Sequence, residues 1–162
     1  MRFNPLMSSA RASFMARCLI ALTLLLGLVY GSTAAFSQSG YKLIVNSDNP
    51  VSSLSKDEVS DYFLKKTSSW KSAGFDQRVN PLDLTAPPEV RNAFSEDVHG
   101  RSANAIKKYW QRLIFTGRGT PPREVDSDSE AISFVASTPG GIAYVSPSAS
   151  LPGGVKAVSV SN

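Results

Sequence analysis

The sequence is 162 residues long and carries seventeen basic against thirteen acidic residues, a net charge of +4. It has one cysteine and one histidine, which excludes a disulfide framework and a metal site rich in histidine or cysteine. Three of the basic residues and none of the acidic ones lie in the first thirty-five residues, so the remainder has a net charge near +1. A nearly neutral domain lacks the basic surplus of a nucleic-acid-binding protein, and we expect no nucleic-acid partner.

Residues 1–35 have the pattern of a cleavable secretory signal peptide. Three arginines precede an apolar run over 18–30, and small residues over 31–35 suit a signal peptidase. The alternative is an uncleaved anchor, but the run of 13 residues is shorter than the roughly 20 that span a bilayer. We therefore expect residues 36–162 to form one periplasmic domain with no membrane span after cleavage.

The predicted elements begin with a strand over 41–45, where β-branched and apolar residues precede the turn-forming Asn-Ser-Asp-Asn-Pro. A capping box of Ser55 and Glu58 begins a helix, and Ser127 and Glu130 form a second box before a later helix. The other predicted elements are a strand over 79–84, helices from 87 and over 102–115, and closing strands over 142–145 and 155–160. The order β-α-β-α-α-α-β-β predicts an α/β domain, a small mixed sheet flanked by helices.

Apolar spacing assigns an inward face to two of these helices. In the first helix, this face consists of Val59, Tyr62 and Phe63. In the helix over 102–115, it consists of Ile106, Tyr109, Trp110 and Leu113. Both helices are therefore predicted to pack on the sheet or on each other.

No motif of a known catalytic class is present, and we expect neither an enzyme, a metal site nor a cofactor. His99 lies in a break between two helices and is expected to fix the turn, with contact to a ligand as the alternative. Trp70 follows a Thr-Ser-Ser loop and is expected to anchor that loop in the core, with the edge of a ligand cleft as the alternative.

Arg101 and Ser102 stand where the third helix is predicted to start. Free backbone N–H groups, a hydroxyl and a guanidinium together suit an oxyanion. We expect an ordinary N-cap with a solvated arginine here, with contact to an oxyanion as the alternative.

Three segments, at residues 54–70, 91–94 and 137–145, resemble in chain order the phosphate-binding proteins of ABC transporters. Residues 54–70 resemble the family's L-S-x-x-E-[VL]-x-x-[IY]-F-x-G-K-x-x-x-W segment, and residues 91–94 are similar to its R-x-x-F. Residues 137–145 resemble its x-x-P-G-A-I-G-Y-V strand. The resemblance implies a type II periplasmic-binding-protein fold in a single domain, little more than one of the family's two lobes.

The resemblance fails where the family binds its anion, in a segment R-S-x-G-S-G-T-R. Aligning Arg91 with the last arginine of that segment places Leu84 on the first. Only Thr85 keeps a hydroxyl in register, two prolines remove amide donors, and Glu89 adds a negative charge. This departure predicts a weakened or lost phosphate site on an inherited fold.

The resemblance implies a periplasmic solute-binding protein of the phosphate ABC transporter type, which binds a small oxyanion such as phosphate for an inner-membrane transporter. The residues that could contact the oxyanion are Ser47, Thr85, Arg91, Arg101 and Ser102. The alternative is a non-catalytic scaffold or accessory subunit of an envelope complex, which keeps the fold without the ligand.

Overall fold

Six strands and four α-helices make up residues 40–162, which are the residues that the computed structural model describes. The predicted signal peptide and its cleavage site lie outside these residues, so their assignment stays a prediction. None of the helices within 40–162 combines the length and the apolar character that crossing a membrane requires.

The strands are β1 Lys42–Asn46, β2 Ser53–Ser55, β3 Asn80–Leu84, β4 Arg123–Val125, β5 Gly141–Val145 and β6 Val155–Ser161. The helices are α1 Lys56–Phe63, α2 Pro88–His99, α3 Ala103–Phe115 and α4 Asp128–Ser137. The predicted element order was wrong in omitting β2 and β4. Both have three residues, too few for a periodic pattern, and only their pairing with β6 and β3 defines them.

The strands form one mixed sheet in the order β2-β6-β1-β5-β3-β4. β3 pairs in parallel with both β4 and β5, whereas β1 is antiparallel to β5 and β6. The end of β1 therefore lies at the edge of the sheet where β3 and β5 begin. The α/β fold class, with a small mixed sheet flanked by helices, is confirmed.

The core is built from the sheet and the apolar faces of α1, α2 and α4. Phe94 of α2 stacks on Tyr144 of β5 with ring centroids 3.9 Å apart, and Phe63 of α1 packs 4.7 Å from Phe94. The predicted face of α1 is confirmed, since Val59, Tyr62 and Phe63 are buried.

The predicted face of α3 is only half enclosed. Ile106 and Trp110 are buried, but Tyr109 and Leu113 are partly exposed, because α3 lies outside α2. At the end of α3, Ile114 and Phe115 are exposed.

One of the two predicted capping boxes is complete. Ser55 accepts from the Glu58 backbone N–H while the Glu58 side chain accepts from the Ser55 backbone. Ser127 caps α4 alone, since the Glu130 carboxylate instead accepts a hydrogen bond from Arg123 at 3.1 Å. The second box was therefore wrong as a reciprocal pair.

Trp70 anchors its loop in the core, as expected. Its side chain is fully buried, and its indole N–H donates to the carbonyl oxygen of Gly140 at 3.0 Å. The Asn80 backbone N–H donates to the same oxygen at 2.9 Å. The Pro-Gly-Gly turn before β5 is thereby fixed to the start of β3.

Candidate functional site

The carboxyl-terminal ends of β3, β4 and β5 lie at one edge of the sheet, where open α/β sheets commonly bind ligands. Thr85 directly follows β3, and α2 begins at Pro88 and carries Arg91 on its first turn. The structure therefore brings two of the predicted ligand residues together at this edge.

Arg91 is held by two carboxylates of the protein. Its Nη2 atom lies 2.6 Å from an Asp83 oxygen and 2.7 Å from a Glu124 oxygen. Asp83 and Glu124 are paired residues on the parallel strands β3 and β4, which aims both carboxylates at the guanidinium. The three side chains, named here the Arg91 cluster, carry a net charge of −1 when ionised.

Tyr144 of β5 lies on the buried side of the Arg91 cluster. Its hydroxyl donates to the Asp83 carboxylate and lies 3.0 Å from the carbonyl oxygen of Leu84. Burial raises the pKa of the Asp83 carboxyl, while the Tyr144 hydrogen bond and the Arg91 charge partly offset this effect. Burial likewise raises the pKa of Tyr144, with the Asp83 charge adding to it.

The hydroxyl of Thr85 also donates its hydrogen bond to another group of the protein. The acceptor is the carbonyl oxygen of Val125 at 3.0 Å, and this bond joins β3 to the end of β4. An anion at this edge would meet a negatively charged cluster and a hydroxyl whose proton is already engaged. Sequence reasoning missed Asp83, although an aspartate between two leucines of a predicted strand, eight residues before an arginine, is a detectable signal.

The other predicted ligand residues lie elsewhere. Ser47 follows β1 at the opposite edge of the sheet, where its backbone N–H donates to Gly154. Arg101 and Ser102 precede α3, and the eight residues of α2 that follow Arg91 separate them from it by about 12 Å along the helix axis. Ser102 is the N-cap of α3, its hydroxyl accepting from the Ala105 backbone N–H at 3.3 Å. That any of the five residues contacts a ligand stays a prediction.

His99 ends α2 and joins it to α1. Its Nδ1 atom lies 2.9 Å from the hydroxyl oxygen of Ser60, and its ring packs edge-on against Phe94. Burial lowers the pKa of His99 to about 4, with the charges of Arg101 and Lys66 acting in the same direction. The imidazole is therefore neutral at pH 7.

We expect the protein to lose stability as the pH falls from 6.5 to 4. The unfolded chain takes up a proton on His99 near pH 6.5, whereas the folded protein resists doing so until about pH 4. The contribution of neutral His99 to the free energy of unfolding is fully present above pH 6.5. It decreases by about 3 kcal/mol as the pH falls through this window. The check is urea unfolding at several pH values. His99→Gln should flatten the slope, and an unchanged slope would contradict the assignment.

Within residues 40–162, no group of three or more histidine, cysteine, aspartate or glutamate side chains is placed to hold a metal ion.

No protein-family model matches the sequence, and no curated protein matches it. Several solved structures match the fold of this chain. One is a Clostridium perfringens protein assigned as a phosphate ABC transporter substrate-binding protein and crystallised with phosphate. It is 24% identical with a TM-score of 0.58, and the match covers 75% of this chain and 44% of that one. Another is an ABC-type phosphate transport receptor from Vibrio cholerae. It is 21% identical with a TM-score of 0.55, and the match covers 75% of this chain and 46% of that one.

The six-stranded sheet with its flanking helices matches the periplasmic-binding-protein fold of these two structures. The match spans less than half the length of either protein.

Proposed function

We propose that this chain is a periplasmic solute-binding protein of the phosphate ABC transporter type, which binds a small oxyanion such as phosphate. The observation that carries the proposal is the fold shared with the Clostridium perfringens protein, which was crystallised with phosphate. The Vibrio cholerae transport receptor adds support from a second structure of the same fold. An inner-membrane transporter is the proposed partner.

Export and the absence of catalysis belong to the same proposal. The arginines, the apolar run and the small residues of 1–35 support cleavage at or next to Ala35 and release into the periplasm. A non-catalytic role is supported by the binding function named for both structural neighbours and by the packing role of His99.

A second candidate function is an accessory subunit that keeps the fold without a ligand. The Arg91 cluster favours it, because Asp83 and Glu124 already neutralise the arginine that the resemblance assigns to the anion. The shared region, under half of each relative, also supplies only part of a two-lobed protein.

Titration calorimetry of the protein recovered from the periplasmic fraction separates the two candidates. We expect saturable heat with phosphate at moderate salt, and none with chloride at the same ionic strength. Arg91→Met should keep the affinity within about threefold, since its charge is already paired in the folded protein. No heat with phosphate or sulfate, together with a partner captured by crosslinking in the periplasm, would support the accessory subunit instead.

A further inference from the structure

A cavity of about 570 Å³ opens at the edge of the sheet where β3 and β4 begin, opposite the Arg91 cluster. Its polar lining consists of three cationic side chains, two hydroxyls and two amides: Lys65, Arg78, Arg123, Thr67, Ser68, Gln77 and Asn80. We name it the basic groove. Its size lies within the range of small-molecule sites, about 300–1,000 Å³.

The positive charge of the basic groove is poorly balanced. No carboxylate lines it, and in the part of the chain that the structure describes, neither Lys65 nor Arg78 forms an ion pair. Arg123 pairs with Glu130 at 3.1 Å, but both side chains are about half exposed, where such a pair contributes little. Three cations gathered around one concave surface attract an anion.

Lys65 has an unfavourable backbone conformation at the wall of this groove. Its φ angle of 54° lies in the left-handed region, and no other residue of 40–162 besides glycine has a positive φ. Glycine would adopt this conformation without cost. Its ammonium group lies 3.0 Å from the carbonyl oxygen of Pro121, which accepts one hydrogen bond and leaves two donors. The left-handed residue ends α1 in a Schellman motif, because the backbone N–H groups of Lys65 and Lys66 donate to the carbonyl oxygens of Tyr62 and Asp61. This cap places the lysine side chain at the wall of the groove.

The groove also has an apolar wall. Tyr62, Pro81 and Phe134 line it beside the polar groups. The guanidinium carbon of Arg123 lies 5.9 Å from the ring centre of Phe134, which holds this cation against the wall. The wall suits the organic part of a ligand whose charged group meets the cations.

We propose that the basic groove binds the phosphate group of inorganic phosphate or of a small phosphate monoester. Lys65, Arg78 and Arg123 would supply the charge, and the hydroxyls of Thr67 and Ser68 hydrogen bonds. The inference rests on the proposed function, that the ligand is an oxyanion, and assigns that ligand to the edge opposite the Arg91 cluster. Neither Arg101 nor Ser102 lines the groove.

The test is calorimetry of the protein expressed as the full chain, with inorganic phosphate and with phenyl phosphate as probes. We expect Arg78→Ala and Lys65→Gly each to weaken binding at least tenfold, because each removes a charged donor. Lys65→Gly should not lower the melting temperature, since it relieves the left-handed lysine, and so separates binding from folding. Arg101→Ala, which removes an equal charge outside the groove, should change the affinity less than threefold.

The results also distinguish the two sources of phosphate. Tenfold tighter binding of phenyl phosphate supports a monoester that uses the apolar wall, and equal affinities support inorganic phosphate. Binding that survives Arg78→Ala and Lys65→Gly but is lost in Arg101→Ala would overturn the inference while leaving the proposed function intact. Absence of binding to either probe would overturn the inference, and absence of binding to sulfate as well would overturn the proposed function.

Discussion

Replacing Gly140 with alanine is expected to destabilise the protein by more than about 3 kcal/mol. A Cβ atom at this position would lie 1.8 Å from the carbonyl oxygen of Arg78, far inside any non-bonded contact. The neighbouring backbone cannot easily withdraw, because the Gly140 carbonyl oxygen accepts hydrogen bonds from Trp70 and Asn80. The turn and the start of β3 would have to separate.

The measurement is the urea midpoint of Gly140→Ala beside that of Gly153→Ala. Nothing lies within 4 Å of a Cβ at Gly153, so the matched variant should change the free energy of unfolding by less than about 0.5 kcal/mol. Equal midpoints for the two variants would show that the close approach at Gly140 is not present in the folded protein.

Arg91→Met should cost about 2–4 kcal/mol, although methionine fills much of the same space. The Asp83 carboxylate would keep its burial and lose the cation 2.6 Å away. Adding Asp83→Asn should recover at least half of the loss, because the pair then leaves no charge without a partner. Glu124 is half exposed, and Glu124→Gln should cost less than about 1 kcal/mol.

These values come from urea unfolding of the three variants and the unsubstituted protein at pH 7. A loss below about 0.5 kcal/mol in Arg91→Met would mean that Arg91 is not a structural ion-pair partner. It would then be available to a ligand, as the resemblance implies.

The parts of the fold that could be predicted are those with local causes. The capping box at Ser55 and the spacing of Val59 and Phe63 lie within one helix, and both α1 and its buried face are confirmed. β4 depends instead on a partner strand some forty residues earlier in the chain. Glu130 was expected to cap its own helix, but Arg123, seven residues earlier at the start of β4, takes its carboxylate.

In the candidate sites, too, features with local causes could be predicted and those that depend on distant residues could not. Arg91 and Thr85 could be assigned to one edge, because a strand end and the following helix are adjacent in sequence. The neutralisation of Arg91 could not be predicted, since Glu124 meets Arg91 only through the pairing of β3 with β4. The basic groove joins residues from α1, the loop after it, the starts of β3 and β4, and α4, so no local motif marks it.

The central claim is that an oxyanion binds this fold away from Arg91, and nitrogen-edited NMR during a phosphate titration tests it most directly. We expect saturable shifts of the Ser68 and Asn80 amide signals at the basic groove, with the Thr85 amide unchanged beside the Arg91 cluster. Saturable shifts at Thr85 and the first turn of α2, with Ser68 and Asn80 unmoved, would contradict it.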